Sequence, residues 1–314
     1  MAKLHISSTP HIHQKGSSTR NIMLDVVIAM LPATVAGIVI FGLKALWTVL
    51  TCVVSAVLAE FIFNLCVHKK QTIGDLSAVV TGLLLALNLS TAVPLWQCAI
   101  GSVFAIVVVK CFFGGLGKNI VNPAITARVF MLLTFGAVGA VALPTVVEIT
   151  SGATPLAALN QGAEIAAKEA PSLIDLFLGL HGGAIGETCA LALIIGFIYL
   201  VVRKVIKWYV PTAFVATTFL CYFVFGGFNA VFALQHVLAG GLLLGAIFMA
   251  TDYVTTPNTG AGRIVFCIGA GLLTFAIRQF GMYPEGVSIA ILTMNLLTPF
   301  ISDLTKRKTL GGVK

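Results

Sequence analysis

The chain has 314 residues, of which 58% are apolar and only 10% are Asp, Glu, Lys or Arg, and its mean hydropathy is +1.03. So few charges cannot cover a water-facing surface, where about 25% of residues would be charged, and the solvent of most of this surface must be lipid. The net charge of +8 does not point to nucleic acid, because the basic residues form short clusters between apolar spans without aromatic interleaving.

Residues 1–21 are a polar tail with no cleavable signal pattern. Ten apolar segments follow, at 22–43, 46–67, 76–90, 95–113, 122–142, 187–202, 209–226, 232–250, 263–280 and 286–302. Most are long enough for a helix to cross the hydrocarbon. The third is short, bounded by Asp75 and the turn Asn88–Pro94, and reads as a half-helix or a tilted one. The chain thus divides into the tail, a first five-helix unit at 22–142, a polar outer loop at 143–186, a second five-helix unit at 187–302 and a basic tail at 303–314. The seven cysteines lie mostly inside apolar runs, with no CxxC and no zinc or iron–sulfur spacing. No metal site is expected.

Orientation follows from Lys and Arg. With both termini in the cytoplasm and ten spans alternating, sixteen of the nineteen basic residues fall on the cytoplasmic side, and only Lys44, Lys168 and Arg278 lie outside. The expected fold is an all-α polytopic membrane protein. Gly82-Leu-Leu-Leu-Ala echoes Gly241-Leu-Leu-Leu-Gly, and an offset of 163 places Pro94 on Pro257, Ala127 on Ala290 and Met131 on Met294. Five spans per copy is an odd number, so the second copy would run in the opposite sense, as in inverted-repeat transporter folds.

The outer loop carries Glu148-Ile-Thr-Ser151-Gly152-Ala153-Thr154-Pro155. A residue before proline is held extended, and Gly152 and Ala153 leave the Thr154 hydroxyl uncrowded. No base adjoins it in sequence, so it suits modification by another enzyme better than self-activation. On these grounds alone a plain loop turn remains the simpler reading.

The run Ser151–Thr154 resembles the flavinylation motif of membrane subunits in the Rnf and sodium-pumping NADH:quinone oxidoreductase complexes. The resemblance covers almost the whole chain, through Asp25–Pro32, Gly117–Ala124, Gly183–Thr188, Met249–Asp252 and Tyr283–Gly286, and the length suits the RnfD branch of that family. It implies an FMN joined through its phosphate to Thr154 Oγ1, and a fold of two inverted five-helix repeats like that of urea channels. The family often has Asp where Glu148 stands, which keeps the charge but lengthens the reach. By this resemblance the chain is an electron-carrying subunit of an ion-translocating ferredoxin:NAD oxidoreductase in the bacterial inner membrane. Its implied partners are an FMN-bearing outer-face subunit, a cytoplasmic NAD-reducing subunit and a flavin transferase. It carries no complete active site of its own, and iron–sulfur and nicotinamide chemistry would belong to partners.

Other residues keep two readings each. Glu60 lies inside the second span, where a charge costs about 3 kcal/mol; it belongs to an ion path or is protonated and bonded between helices. Asn119 and Asn122 precede Pro123 and suit helix capping, or, with Asp252, a second flavin at the cytoplasmic face. Quinone-reductase homologues hold a riboflavin near that face. Glu187 and Thr188 open the sixth span, where free N–H groups suit the FMN phosphate, although Glu187 itself satisfies that dipole. Arg278 is placed to pair with Glu285 or with the phosphate. The competing functional class is a small-solute channel or secondary transporter, which would have no use for the 151–154 motif.

Overall fold

The computed structural model describes residues 18–136, 144, 156, 159, 172–281 and 286–306. Twelve α-helices occur among them, with no β-sheet. α1 (Thr19–Phe41) starts at the Ser18 cap, whose side chain accepts from the Asn21 N–H. It turns at Gly42, where φ is +73°, into α2 (Leu43–Cys66). A 3-10 turn (Ile73–Asp75) precedes α3 (Ser77–Leu87). α4 (Leu95–Phe104) continues as a π-helix (Ala105–Cys111), and α5 (Pro123–Thr134) begins at the Asn122 cap. A short α6 (Leu173–Leu178) carries a Ser172/Asp175 capping box. α7 (Ala190–Val202), α8 (Tyr209–Phe225) and α9 (Ala230–Leu238) follow. α10 (Leu242–Leu244) runs on as a second π-helix (Gly245–Met249), then come α11 (Gly260–Phe280) and α12 (Val287–Leu304).

An apolar helix stands in each of the ten expected segments, but the segments are not uniform. α1, α2, α11 and α12 are long and apolar enough to cross a membrane alone, and the bent pair α9–α10 makes a fifth. α3, α4, α5, α7 and α8 are shorter. The expected continuous span at 232–250 is broken instead, with a bend of 68°. The cause is local: Gly240 sits at φ +68°, a left-handed geometry that glycine adopts at little cost. The sixth span begins at Ala190 rather than 187.

α1 and α7 pack antiparallel. Asp25 receives bonds from Tyr199 OH (2.9 Å) and from Arg203 Nε and Nη2 (both 3.2 Å) near one end. The Ala29 carbonyl lies against Gly196, and Gly37 lies against Ile185 further along. α2 packs on α3 and α4, and in the second half α8 packs on the α10 π-segment and α11. α5 and α12 meet across the halves. The outward faces of α1 and α2 expose Val39, Leu43, Trp47 and Leu58, as expected of surface that faces acyl chains.

A Cβ on Gly196 would clash with the Ala29 carbonyl oxygen, whereas one on Gly74 meets nothing within 4 Å. Gly196→Val is therefore expected to destabilise the detergent-solubilised protein by about 1–3 kcal/mol, and Gly74→Ala to leave it unchanged. Thermal unfolding of the two variants checks this, and equal behaviour would refute the close crossing.

Candidate functional site

α3 has only eleven residues, about 16 Å of helix or half the hydrocarbon depth, so its C-terminal carbonyls end inside the bundle. Backbone groups left there need partners. The loop before α7 supplies them: Gly186 N–H donates to the Leu87 carbonyl (2.8 Å) and Ile185 N–H to the Leu89 carbonyl (3.0 Å). Arg128 from α5 donates to Asn88 Oδ1 (2.7 Å) and to Glu187 Oε1 (2.9 Å) at the same end. A cation at a helix C-terminus is favourable, and Glu187 keeps that cation paired.

The break between α9 and α10 is met by charges of both signs. Arg278, in the last turn of α11, donates to the carbonyls of His236 (2.7 Å) and Ala239 (3.2 Å), so it caps the end of α9. Glu187 Oε1 stands 2.5 Å from where a Gly241 Cβ would lie, beside the start of α10. Thr188 is fully buried and its Oγ1 has no partner among the described residues. The structure thus places Glu187, Thr188 and Arg278 around the two interrupted helices, with the Ile185 and Gly186 N–H groups already engaged. His236, buried against Tyr222 in a ring stack at 3.8 Å, also stands here and has no local sequence signal, while Asn88 reads in the sequence only as the start of a turn.

Ser151, Gly152, Ala153 and Thr154, with Glu148 and Glu285, lie outside the described residues. Two residues after Thr154, Leu156 is buried in a cluster with Leu159, Leu176 and Ala239, next to the α9–α10 break.

At the Thr19 end of the bundle a cavity of about 420 Å³ opens between α1, α3, α5, the end of α7 and the turn after Met249, a volume in the range of small-molecule sites. Apolar side chains such as Met23, Leu84, Leu200 and Phe248 form much of its wall. Asn119, Asn122 and Asp252, far apart in sequence, all line it. Asn122 Oδ1 is committed to capping α5 through Ala124 N–H (3.0 Å) and Ile125 N–H (3.3 Å). Asn119 Oδ1, in contrast, is buried with no partner among the described residues. Asp252 lies beyond the end of the α10 π-segment, in a turn where Val254 N–H (3.2 Å) and the Thr255 hydroxyl (3.1 Å) donate to it. Burial raises its carboxyl above the usual range, partly offset by those two bonds. The Arg263 guanidinium donates to the Pro257 carbonyl (3.0 Å), while the bonds to Asp252 come from within its own turn.

Glu60 is not alone. Lys110, from the π-segment of α4, donates to both its oxygens (2.9 and 3.0 Å) and to Ser77 Oγ (2.6 Å). Both side chains of the pair are 2% exposed. The Thr72 hydroxyl donates to Glu60 Oε1 (2.6 Å) and accepts from Asn64 (3.0 Å). In the sequence Lys110 is one of the sixteen basic residues on the cytoplasmic side, and the pairing goes unread. The usable signal was two opposite charges, each set in an apolar run.

These features define a class: a multi-pass α-helical membrane protein whose interrupted helices end on buried charged groups, with a mostly apolar cavity at one end. The particular family follows from sequence comparison. The profile of the NQR2, RnfD, RnfE family matches residues 5–311, and the chain belongs to that family. It is 45% identical over 314 residues to the D subunit of the Na(+)-translocating ferredoxin:NAD(+) oxidoreductase complex of Acetobacterium woodii, covering 99% of this chain and 96% of that protein. It is 39% identical to the D subunit of the proton-translocating ferredoxin:NAD(+) oxidoreductase complex of Clostridium ljungdahlii, over 98% and 96% of the two chains. It is 33% identical to the D subunit of the ion-translocating oxidoreductase complex of Escherichia coli O1:K1, over 98% and 99%.

Removing one partner of a buried pair costs about 3–5 kcal/mol, while replacing both is often tolerated. Lys110→Met alone should therefore be strongly destabilising, and the double variant Lys110→Met, Glu60→Gln should recover much of the loss. Denaturant unfolding in detergent completes the cycle; additive losses would show that the pair is not coupled. His181, buried in the loop before α7 with Nδ1 3.0 Å from the Gly182 carbonyl, gives a pH dependence. Burial holds its imidazole below the ordinary 6.5, so the unfolded chain takes up the proton first. Its contribution to stability is complete above about pH 6.5 and is lost as pH falls through the depressed folded value. His181→Gln should lessen the drop in Tm on acidification through that window, and an unchanged drop would remove His181 as a cause.

Proposed function

We propose that this chain is the D-type membrane subunit of an ion-translocating ferredoxin:NAD oxidoreductase complex, carrying electrons between the outer face and the cytoplasmic side. The observation that carries this is the match over nearly the full length of both chains to proteins named as that subunit. The coupling ions in those names differ, sodium in one relative and protons in another, so similarity assigns no ion to this chain. None of the names describes a solute channel. The other proposed partners are the remaining subunits of the complex, including an outer-face flavoprotein and a cytoplasmic NAD-reducing subunit, together with a flavin transferase that matures this chain.

The proposed topology has ten spans in two inverted repeats, with both termini in the cytoplasm of a bacterial inner membrane. Three features support it: the bias of Lys and Arg to one side, the antiparallel pairing of α1 with α7, and the recurrence of the α2–α3–α4 packing as α8–α10–α11.

The proposed cofactors are an FMN esterified to Thr154 and a second, non-covalent flavin of the riboflavin type in the cavity. A flavin supplies one- and two-electron chemistry that side chains do not perform readily. Leu156 and Leu159 would fix the segment just after the attachment point through their packing on Leu176 and Ala239. In the cavity, the unpartnered Asn119 Oδ1 offers an acceptor to a ring N–H, Asp252 offers a carboxylate, and the apolar wall excludes water. Asn122 acts through its cap, which fixes the start of α5 where the wall turns. Arg128, Glu187 and Arg278 hold the interrupted helices in place.

One preparation tests both cofactors. The chain from cells containing the flavin transferase should fluoresce on a denaturing gel and gain the mass of FMN less water, and Thr154→Ala should abolish both. Acid extraction of the native complex should release a further non-covalent flavin, and Asn119→Leu should deplete it without touching the covalent one. A dark wild-type band would end the covalent assignment, and an extract whose flavin does not depend on Asn119 would end the cavity assignment.

A further inference from the structure

Behind one wall of the cavity lies a continuous hydrogen-bonded chain that leads to water. Lys110 and Ser77 line the cavity, and Glu60 does not, so the lysine is the member of the ion pair that reaches the cavity wall. From Lys110 Nζ the chain passes to Ser77 Oγ (2.6 Å), which in turn donates to Asp75 Oδ1. Ser77 N–H also donates to that oxygen (2.8 Å). Asp75 is half-buried and follows an exposed loop at Lys69–Thr72. A serine hydroxyl that accepts from one neighbour and donates to the next can pass a proton by turning. Asp252, on another wall, is bonded within its own turn instead.

We infer that Lys110 Nζ is the proton-holding group of the cavity, resupplied from surface water through Ser77 Oγ and the Asp75 carboxylate. The inference rests on the reading of the cavity as a flavin site. Were a flavin bound in the cavity to take up electrons from a reduced flavin carrier of the complex, Lys110 Nζ, whose three N–H groups are bonded to Glu60 and Ser77 at rest, would release its longer bond to Glu60 and give up one proton, which would balance the incoming negative charge. The Asp75 carboxylate, the acceptor for Ser77 at rest, first takes a proton from hydronium at the surface. Asp75 then gives that proton to Ser77 Oγ as Ser77 gives its own to the neutral amine, so no alkoxide forms and Asp75 returns to a carboxylate. Glu60, held by Thr72 and Asn64, stabilises the restored ammonium, and each cycle moves one proton inward. The charged and titratable groups around Lys110 are Glu60 on α2, Asp75, Lys69, the adjoining Cys111 and, at the cavity wall, Asp252.

Asp75 does not line the cavity, which makes it the cleanest point of attack. Asp75→Asn keeps the acceptor that orders Ser77 and removes the titratable proton. The intact complex, carrying Thr154→Ala so that this chain's covalent flavin is silent, is reduced with dithionite in weakly buffered solution with a pH-indicator dye. Proton uptake is followed by stopped flow and extractable flavin is measured alongside. Asp75→Asn is expected to retain the flavin and to slow the uptake phase by about tenfold or more, with Asp75→Glu restoring it, and Ser77→Ala is expected to slow the uptake of the flavin that remains bound to a similar extent. Both variants taking up protons at the rate of the Thr154→Ala parent with full flavin content would overturn the relay. So would slow uptake that Asp75→Glu fails to restore. A parent complex that releases no flavin on acid extraction would overturn the cavity reading itself, and the relay with it.

Discussion

A backbone cannot stop inside hydrocarbon with its polar groups bare, because each unsatisfied group costs several kcal/mol there. This chain interrupts its helices inside the bundle, at the end of α3 and at the α9–α10 break. Arg128 serves the first together with the N–H groups of Ile185 and Gly186, and Arg278 caps the second. Glu187 neutralises Arg128 from within the same loop. The sign of each charge suits the helix end it meets: guanidinium at the C-termini of α3 and α9, carboxylate beside the start of α10. The residues that keep the centre intact are therefore few, charged and mutually dependent, and the long apolar helices around them need only present side chains to lipid.

The two ends of the molecule depend on this centre. α3 begins at the cavity with Ser77 and finishes at Asn88, so whatever fixes Asn88 also fixes the wall that carries Ser77 and Thr81. α10 leads from Gly241, beside Glu187, to the turn that carries Asp252. The cavity residues are thus aligned by contacts made well away from them, which is how an apolar pocket can hold a few polar atoms in fixed places. At the other end, Leu156 and Leu159 rest on Ala239 at the very break that Arg278 caps.

How much of this could be read from the residue order varies with the kind of signal. Hydropathy located the apolar helices because each stretch is governed by its own composition. The short α3 was legible because Asp75 and the Asn88–Pro94 turn bound it. The break at Gly240–Gly241 was not, since two glycines in an apolar run also read as a continuous membrane helix, and only the partners of the freed carbonyls reveal the interruption. Asn119, Asn122 and Asp252 each stand out locally, and their meeting in one cavity is a matter of packing. Glu187 reads as a helix start open to anions; its loop N–H groups are spent on α3, which no local pattern could announce. Lys110 escapes notice for a related reason: its charge reads as an interfacial one, and the partner is fifty residues earlier.

The π-helical turn at Ala105–Cys111 gives that missed contact an evolutionary dimension. A π-turn accommodates an additional residue relative to an α-helix, often at functional positions, and in α-helical geometry one residue corresponds to about 100° of rotation. Losing a single codon here would swing Lys110 off the face it shares with Glu60, even with every remaining side chain unchanged. The spacing between Phe104 and Phe112 thus sets where Lys110 points, so this segment should tolerate exchange of one aliphatic side chain for another far more readily than any insertion or deletion.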